Sequence, residues 1–81
     1  MSEQVMTLMF TDISCKRVLD RIEESGTNDP DLIGLANAMR PNAMKVKRGA
    51  FMAYVRESDD EIFPGFRLSD HALKVDRVVQ P

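Results

Sequence analysis

The spacing of apolar residues changes twice along this chain, and those changes limit the folds it can adopt. A nearly continuous apolar run at residues 5–10 predicts a mostly buried strand. Two segments follow in which apolar residues recur at the i, i+3, i+4, i+7 spacing of an amphipathic helix. From residue 44 apolar and polar residues alternate, which favours strands. A chain of 81 residues holds one core, so a single domain over residues 1–81 is expected.

The first helix has clear start and stop signals. Thr11 or Asp12 can cap it by accepting a backbone N–H from the first turn. Glycine readily adopts the left-handed conformation that ends helices, so the helix is expected to stop at Gly26. The apolar stripe between these points consists of Cys15, Val18, Leu19 and Ile22.

The second helix is expected to begin at Asp29 and Pro30, because aspartate is a good N-cap and proline suits the first helical position. Proline disfavours helical angles in the residue before it, so Pro41 is expected to end this helix at Arg40. Its apolar stripe consists of Leu32, Leu35, Ala36 and Met39.

The second half of the chain predicts strands. Alternation in residues 44–47, Gly49 and the apolar run at residues 50–56 together predict a β-hairpin. Residues 57–61 read as a solvated acidic loop. Residues 68–80 fit a helix or a strand, and the gathering of their polar residues on one helical side favours the helix.

The predicted fold class is therefore α+β. The first strand and the hairpin form a small antiparallel sheet, and the two helices cover one face of it. A C-terminal helix or strand completes the domain. A core of this size offsets the entropy of folding only narrowly, so self-association as a homodimer or a partner protein would add stability.

Chemistry-bearing residues are scarce. Cys15 and His71 are the only cysteine and histidine, and no catalytic motif surrounds either of them. Cys15 lies on an apolar stripe and is expected in the core, whereas His71 is expected at the surface or rim. The sequence lacks the set of about four closely spaced ligands of a structural zinc site, a calcium loop and a glycine-rich phosphate loop. We therefore expect a non-enzymatic protein with no cofactor and no metal.

Net charge and cysteine content indicate which partners and which compartment the protein suits. A net charge of −2 gives no overall field that would attract nucleic acid or anionic lipid. A single cysteine cannot form an internal disulfide, which favours the reducing cytoplasm. The first ten residues lack the features of a signal peptide, and no apolar run approaches the roughly 20 residues that span a bilayer. The sequence predicts no membrane association.

Another protein is the expected partner. Two phenylalanines flank a Pro-Gly turn beside the acidic loop, which resembles an apolar anchor with a polar rim. The candidate contact residues are Ile62, Phe63, Pro64 and Phe66. Equally, both rings can fold back onto the domain. An inhibitor or adaptor role would need no catalytic residue.

The alternative function is nucleic-acid binding. The order strand, helix, helix, hairpin matches most of a winged helix, and a basic hairpin would serve as the wing. The candidate cations are Arg40, Lys45, Lys47 and Arg48. The competing interpretation is that these side chains protect the edge of the hairpin from unwanted pairing.

Overall fold

A computed structural model describes residues 4–75 and confirms the predicted α+β fold class. The elements in chain order are β1 (Val5–Phe10), α1 (Asp12–Ser25), α2 (Pro30–Ala43), β2 (Phe51–Arg56), β3 (Glu61–Phe63), β4 (Phe66–Arg67) and β5 (Leu73–Lys74). Short 3₁₀ turns occupy Glu57–Asp59 and Leu68–His71.

The main sheet has three strands in the order β2-β1-β5, and every pairing in it is antiparallel. The β1–β2 ladder runs without a break from Val5 opposite Arg56 to Phe10 opposite Phe51. The two residues of β5 pair with Leu8 and Met9 on the other edge of β1. β3 and β4 form a separate two-stranded hairpin.

Local capping chemistry fixes both ends of α1 and the start of α2 where the sequence predicts. Thr11 caps α1 by accepting the Ser14 N–H at 3.1 Å, and Gly26 ends that helix with a φ of 64°. Asp29 caps α2 by accepting the Asp31 N–H at 2.9 Å.

The core lies between the helices and one face of the sheet. Both helices turn their apolar stripes inward against β1 and β2, as their periodicity predicts. Its buried members are Leu8, Phe10, Cys15, Val18, Leu19, Ile22, Ala36, Met39, Ala43, Val55 and Leu68.

The predicted end of the second helix at Arg40 is wrong, because α2 continues through Pro41 to Ala43. Proline has no N–H to bond the preceding turn, but one missing bond is tolerable near a helix end. Asn42 and Ala43 are buried, and the Met44 N–H closes the helix on the Arg40 carbonyl at 2.9 Å.

The architecture contains a hairpin, but it lies at β3–β4 and not at residues 44–56. Residues 44–47 close the end of α2 instead. The N–H groups of Val46 and Lys47 both donate to the Pro41 carbonyl, at 2.9 and 3.0 Å, and Lys45 adopts a φ of 60°. These donors are therefore not available to a strand, and β2 pairs with β1. Residues 44–47 do not form a strand, so the interpretation that Lys45 and Lys47 protect a hairpin edge does not apply.

The favoured helix over residues 68–80 is wrong in the part that the structure describes. The strand alternative is confirmed at β5, where the Val75 N–H donates to the Thr7 carbonyl at 2.8 Å. The free edge of β1 supplies a ladder that the local helical pattern does not reveal. Residues 76–80 of the predicted helix lie outside the described residues.

The acidic segment is not fully solvated as predicted, because Asp60 is buried. Its carboxylate accepts hydrogen bonds from the backbone N–H and the hydroxyl of Ser69. Since the Leu68 N–H also donates to the Asp60 carbonyl at 2.9 Å, Asp60 fixes the second 3₁₀ turn against β3.

Candidate functional site

Cys15 and His71, the only cysteine and histidine of the chain, both make packing contacts within the domain. Cys15 is fully buried in the core, as predicted. Burial, and then the charge of Asp12, raises the pKa of its thiol, so the thiol is protonated at neutral pH. His71 is half-buried at the rim, where its ring stacks on Phe66 with centroids 4.5 Å apart.

The aromatic turn folds back onto the domain. The rings of Phe63 and Phe66 meet edge to face with centroids 6.4 Å apart, and the Arg21 guanidinium lies 4.4 Å from the centre of the Phe63 ring. Ile62, Phe63 and Phe66 pack against the core, while Pro64 is exposed. Of the four predicted contact residues, only Pro64 is thus exposed, and the other three are half-buried.

Three of the four predicted cations lie together. Lys45, Lys47 and Arg48 line a shallow cavity of about 530 Å³ beside the start of α1. Asp12 lines the same cavity, and its carboxylate is 4.0 Å from the Lys45 ammonium. Arg40 lies elsewhere, on α2, where it pairs with Glu23 at 3.3 Å.

An apolar surface covers the side of the main sheet that points away from the helices. Successive residues of a strand face opposite sides, so Val5, Met9, Met52 and Tyr54 share this side. Leu73 pairs with Met9 and joins them. We call this surface the outer face; its apolar members are Val5, Met9, Met52, Tyr54, Leu73 and Val75. Tyr54 is 79% exposed and Leu73 is 61% exposed.

Sequence reasoning missed the outer face because residues 50–56 form an almost unbroken apolar run. Such a run is typical of a strand buried on both sides. In β2, however, Phe51, Ala53 and Val55 face the core whereas Met52 and Tyr54 face solvent. The signal that could have revealed it was the tyrosine, whose hydroxyl suits a half-wet position.

Beside β2 lies a groove of about 550 Å³, which we call the edge groove. Its apolar and aromatic lining consists of Leu32, Leu35, Ala53, Tyr54, Val55, Ile62 and Leu68, so Tyr54 borders both this groove and the outer face. Charged side chains also line it: the carboxylates of Asp29, Asp31, Asp59 and Glu61, and the guanidinium of Arg56. Ile62 is the one predicted contact residue that it includes.

Within residues 4–75, no group of three or more His, Cys, Asp or Glu side chains is arranged to hold a metal ion. Neither α1 nor α2 combines the length and the apolar character that crossing a membrane would require. In comparisons with known proteins, no family model, no curated protein and no solved structure matches this chain.

Proposed function

We propose that this protein is a non-enzymatic regulatory or accessory protein, of the inhibitor or adaptor type, that binds another protein through the outer face. The observation that carries the proposal is the exposure of Val5, Met52, Tyr54 and Leu73 on one side of one sheet. Contiguous apolar patches on soluble domains commonly mark contacts with other proteins. A cytoplasmic location fits a single buried cysteine that needs no disulfide partner.

Physical chemistry makes the outer face a better anchor than the aromatic turn. Fully burying one large apolar side chain contributes about 1.5–3 kcal/mol, before the costs of association. Phe63 and Phe66 already use part of their area within the domain, whereas Tyr54 and Leu73 retain most of theirs. Contact through Ile62, Phe63, Pro64 and Phe66 therefore remains a smaller, auxiliary proposal.

A matched pair of variants tests the proposal. Leu73 and Ile13 are each 61% exposed, but Ile13 lies on α1 and not on the sheet. We expect Leu73→Ser to lose the partner that the tagged wild-type protein recovers from its native host, and Ile13→Ser to retain it. Equal recovery by both variants would contradict the proposal. Recovery of an untagged second copy, lost only in Leu73→Ser, would identify a homodimer.

Nucleic-acid binding is the second candidate function, favoured by the convergence of Lys45, Lys47 and Arg48 on one cavity. The winged-helix form of this idea has no wing at residues 44–47, and Asp12 adds a carboxylate that would repel phosphate. If phosphates bind there, affinity for single- or double-stranded DNA should fall steeply with salt. Lys47→Gln combined with Arg48→Gln should then flatten that dependence, whereas salt-independent binding would exclude this function.

A further inference from the structure

The second long edge of the main sheet is open. In the described part of the chain β2 has one strand neighbour, β1, so the other edge of its six residues has no strand partner. Proteins commonly protect such edges with proline, a bulge or charged side chains. β2 contains no proline, its ladder with β1 has no register shift, and Arg56 at its end is its only charge. This edge is suited to accept an additional strand.

The edge groove lies along this open edge. Leu32 and Leu35 of α2 line it together with Ile62 of β3 and Leu68. A strand added beside β2 would direct alternate side chains to the helix side of the sheet, where Leu32, Leu35 and Val55 line the groove. The groove of about 550 Å³ has room for apolar side chains there.

The charges around the groove indicate the chemistry of the added strand. Asp31 is exposed at the start of α2, and Asp29, Asp59 and Glu61 line the same groove; Glu61 is 3.8 Å from the guanidinium of Arg67. The only cation in the lining is Arg56, which is 3.7 Å from Asp59. The surplus of carboxylates favours a segment that carries lysine or arginine.

We propose that β2 binds an extended basic and apolar segment of a partner protein by β-strand addition. Main-chain hydrogen bonds to the open edge would hold the segment, and its alternate apolar side chains would enter the edge groove. Lysine or arginine side chains between them would meet the carboxylates. The inference rests on the proposed function only in taking the partner to be a protein, since it uses the edge of β2, which shares Tyr54 but not Leu73 with the outer face.

A second copy of this chain fits the edge less well. Pairing of two β2 strands about a twofold axis would place the two edge grooves side by side on the helix side. The carboxylates of one copy would then face those of the other, and like charges in contact are unfavourable. A basic segment from a different protein would instead place positive charges beside these carboxylates, which is favourable.

A synthetic peptide provides the test with the intact protein. The peptide alternates valine with lysine or threonine and is long enough to pair with the six residues of β2. We expect it to bind, to protect β2 amide hydrogens from exchange and to bind more weakly as salt is added. A peptide N-methylated at alternate amides should not bind. Absence of binding by the parent peptide, or equal binding by the methylated one, would overturn the proposal.

Variants of the protein separate this site from the outer face. Asp31→Asn combined with Asp59→Asn should weaken peptide binding about fivefold. Glu24→Gln combined with Asp70→Asn, two exposed carboxylates outside the groove, should leave binding unchanged. An equal loss in both pairs would overturn the role of the groove. Leu73→Ser should retain the peptide, so failure at the edge groove and failure at the outer face give different results.

Discussion

The two faces of the main sheet carry similar side chains in different surroundings. On the inner face Leu8 and Phe10 are fully buried under the helices. On the outer face Tyr54 and Leu73 are mostly exposed, although they are as large and as apolar as many core residues. The inner face therefore accounts for stability, and the outer face contributes little to folding and is available for binding.

The largest expected effect is on the inner face. Phe10→Ala should lower the free energy of unfolding by about 3–5 kcal/mol, because it leaves a cavity beside Phe51. Tyr54→Ala, on the outer face, should change it by less than about 1 kcal/mol. Urea denaturation followed by circular dichroism measures both. If Phe10→Ala does not fold, Phe10→Leu provides the comparison. Equal losses of unfolding free energy at the two faces would contradict the prediction.

The next effect concerns two neighbouring carboxylates with different burial. Asp60→Ala should cost about 1.5–3 kcal/mol of unfolding free energy, since it removes charged hydrogen bonds and leaves Ser69 without its partner. Asp59→Ala removes only an exposed ion pair with Arg56 and should cost less than about 1 kcal/mol. Urea denaturation followed by circular dichroism measures both losses. A larger loss for Asp59→Ala would show that Asp60 does not fix the second 3₁₀ turn.

The pH dependence of the unfolding free energy tests the burial of Cys15, which packs from α1 into the core. Its folded pKa lies above the ordinary value of 9.0 because of burial, so the protonated thiol favours the folded state. This contribution is complete below pH 9.0 and is lost as the pH rises through the folded pKa. Between neutral and alkaline pH, the wild-type protein should lose more stability than Cys15→Ala. Equal losses, or rapid thiol labelling of the folded protein at neutral pH, would contradict the burial of Cys15.

The smallest effect is expected on the outer face itself. Met52→Thr and Leu73→Ser should each change the free energy of unfolding by less than about 0.5 kcal/mol, because neither side chain is packed in the core. Thermal unfolding monitored at several protein concentrations measures this. A loss of several kcal/mol, or a transition that depends on concentration in the wild type alone, would mean that the outer face is part of a folded dimer.

Local signals in the sequence were sufficient for three of the four helix ends. Thr11, Gly26 and Asp29 act through neighbours a few residues away, so the pattern places these ends, whereas the local signal of Pro41 placed the end of α2 too early. Strand pairing depends on distant residues. Nothing local in residues 44–47 reveals that the Pro41 carbonyl takes their N–H groups, or that β1 takes β2 as its partner.

The candidate surfaces were harder to predict than the fold. The outer face depends on which side of β2 the helices cover, and the edge groove combines residues from α2, β2 and β3. The aromatic turn was identified from sequence, but the contacts of Phe63 with Arg21 and of Phe66 with His71 depend on how the hairpin lies against α1.

Site-specific photocrosslinking in the native host tests the central claim most directly. A benzoylphenylalanine placed at Met52 lies on the outer face and outside the edge groove, and one placed at Ile13 lies on α1. We predict a discrete protein adduct from position 52 that disappears when Leu73 is changed to serine, and none from position 13. No adduct from position 52, or the same adduct from both positions, would contradict the assignment of the outer face as the binding surface.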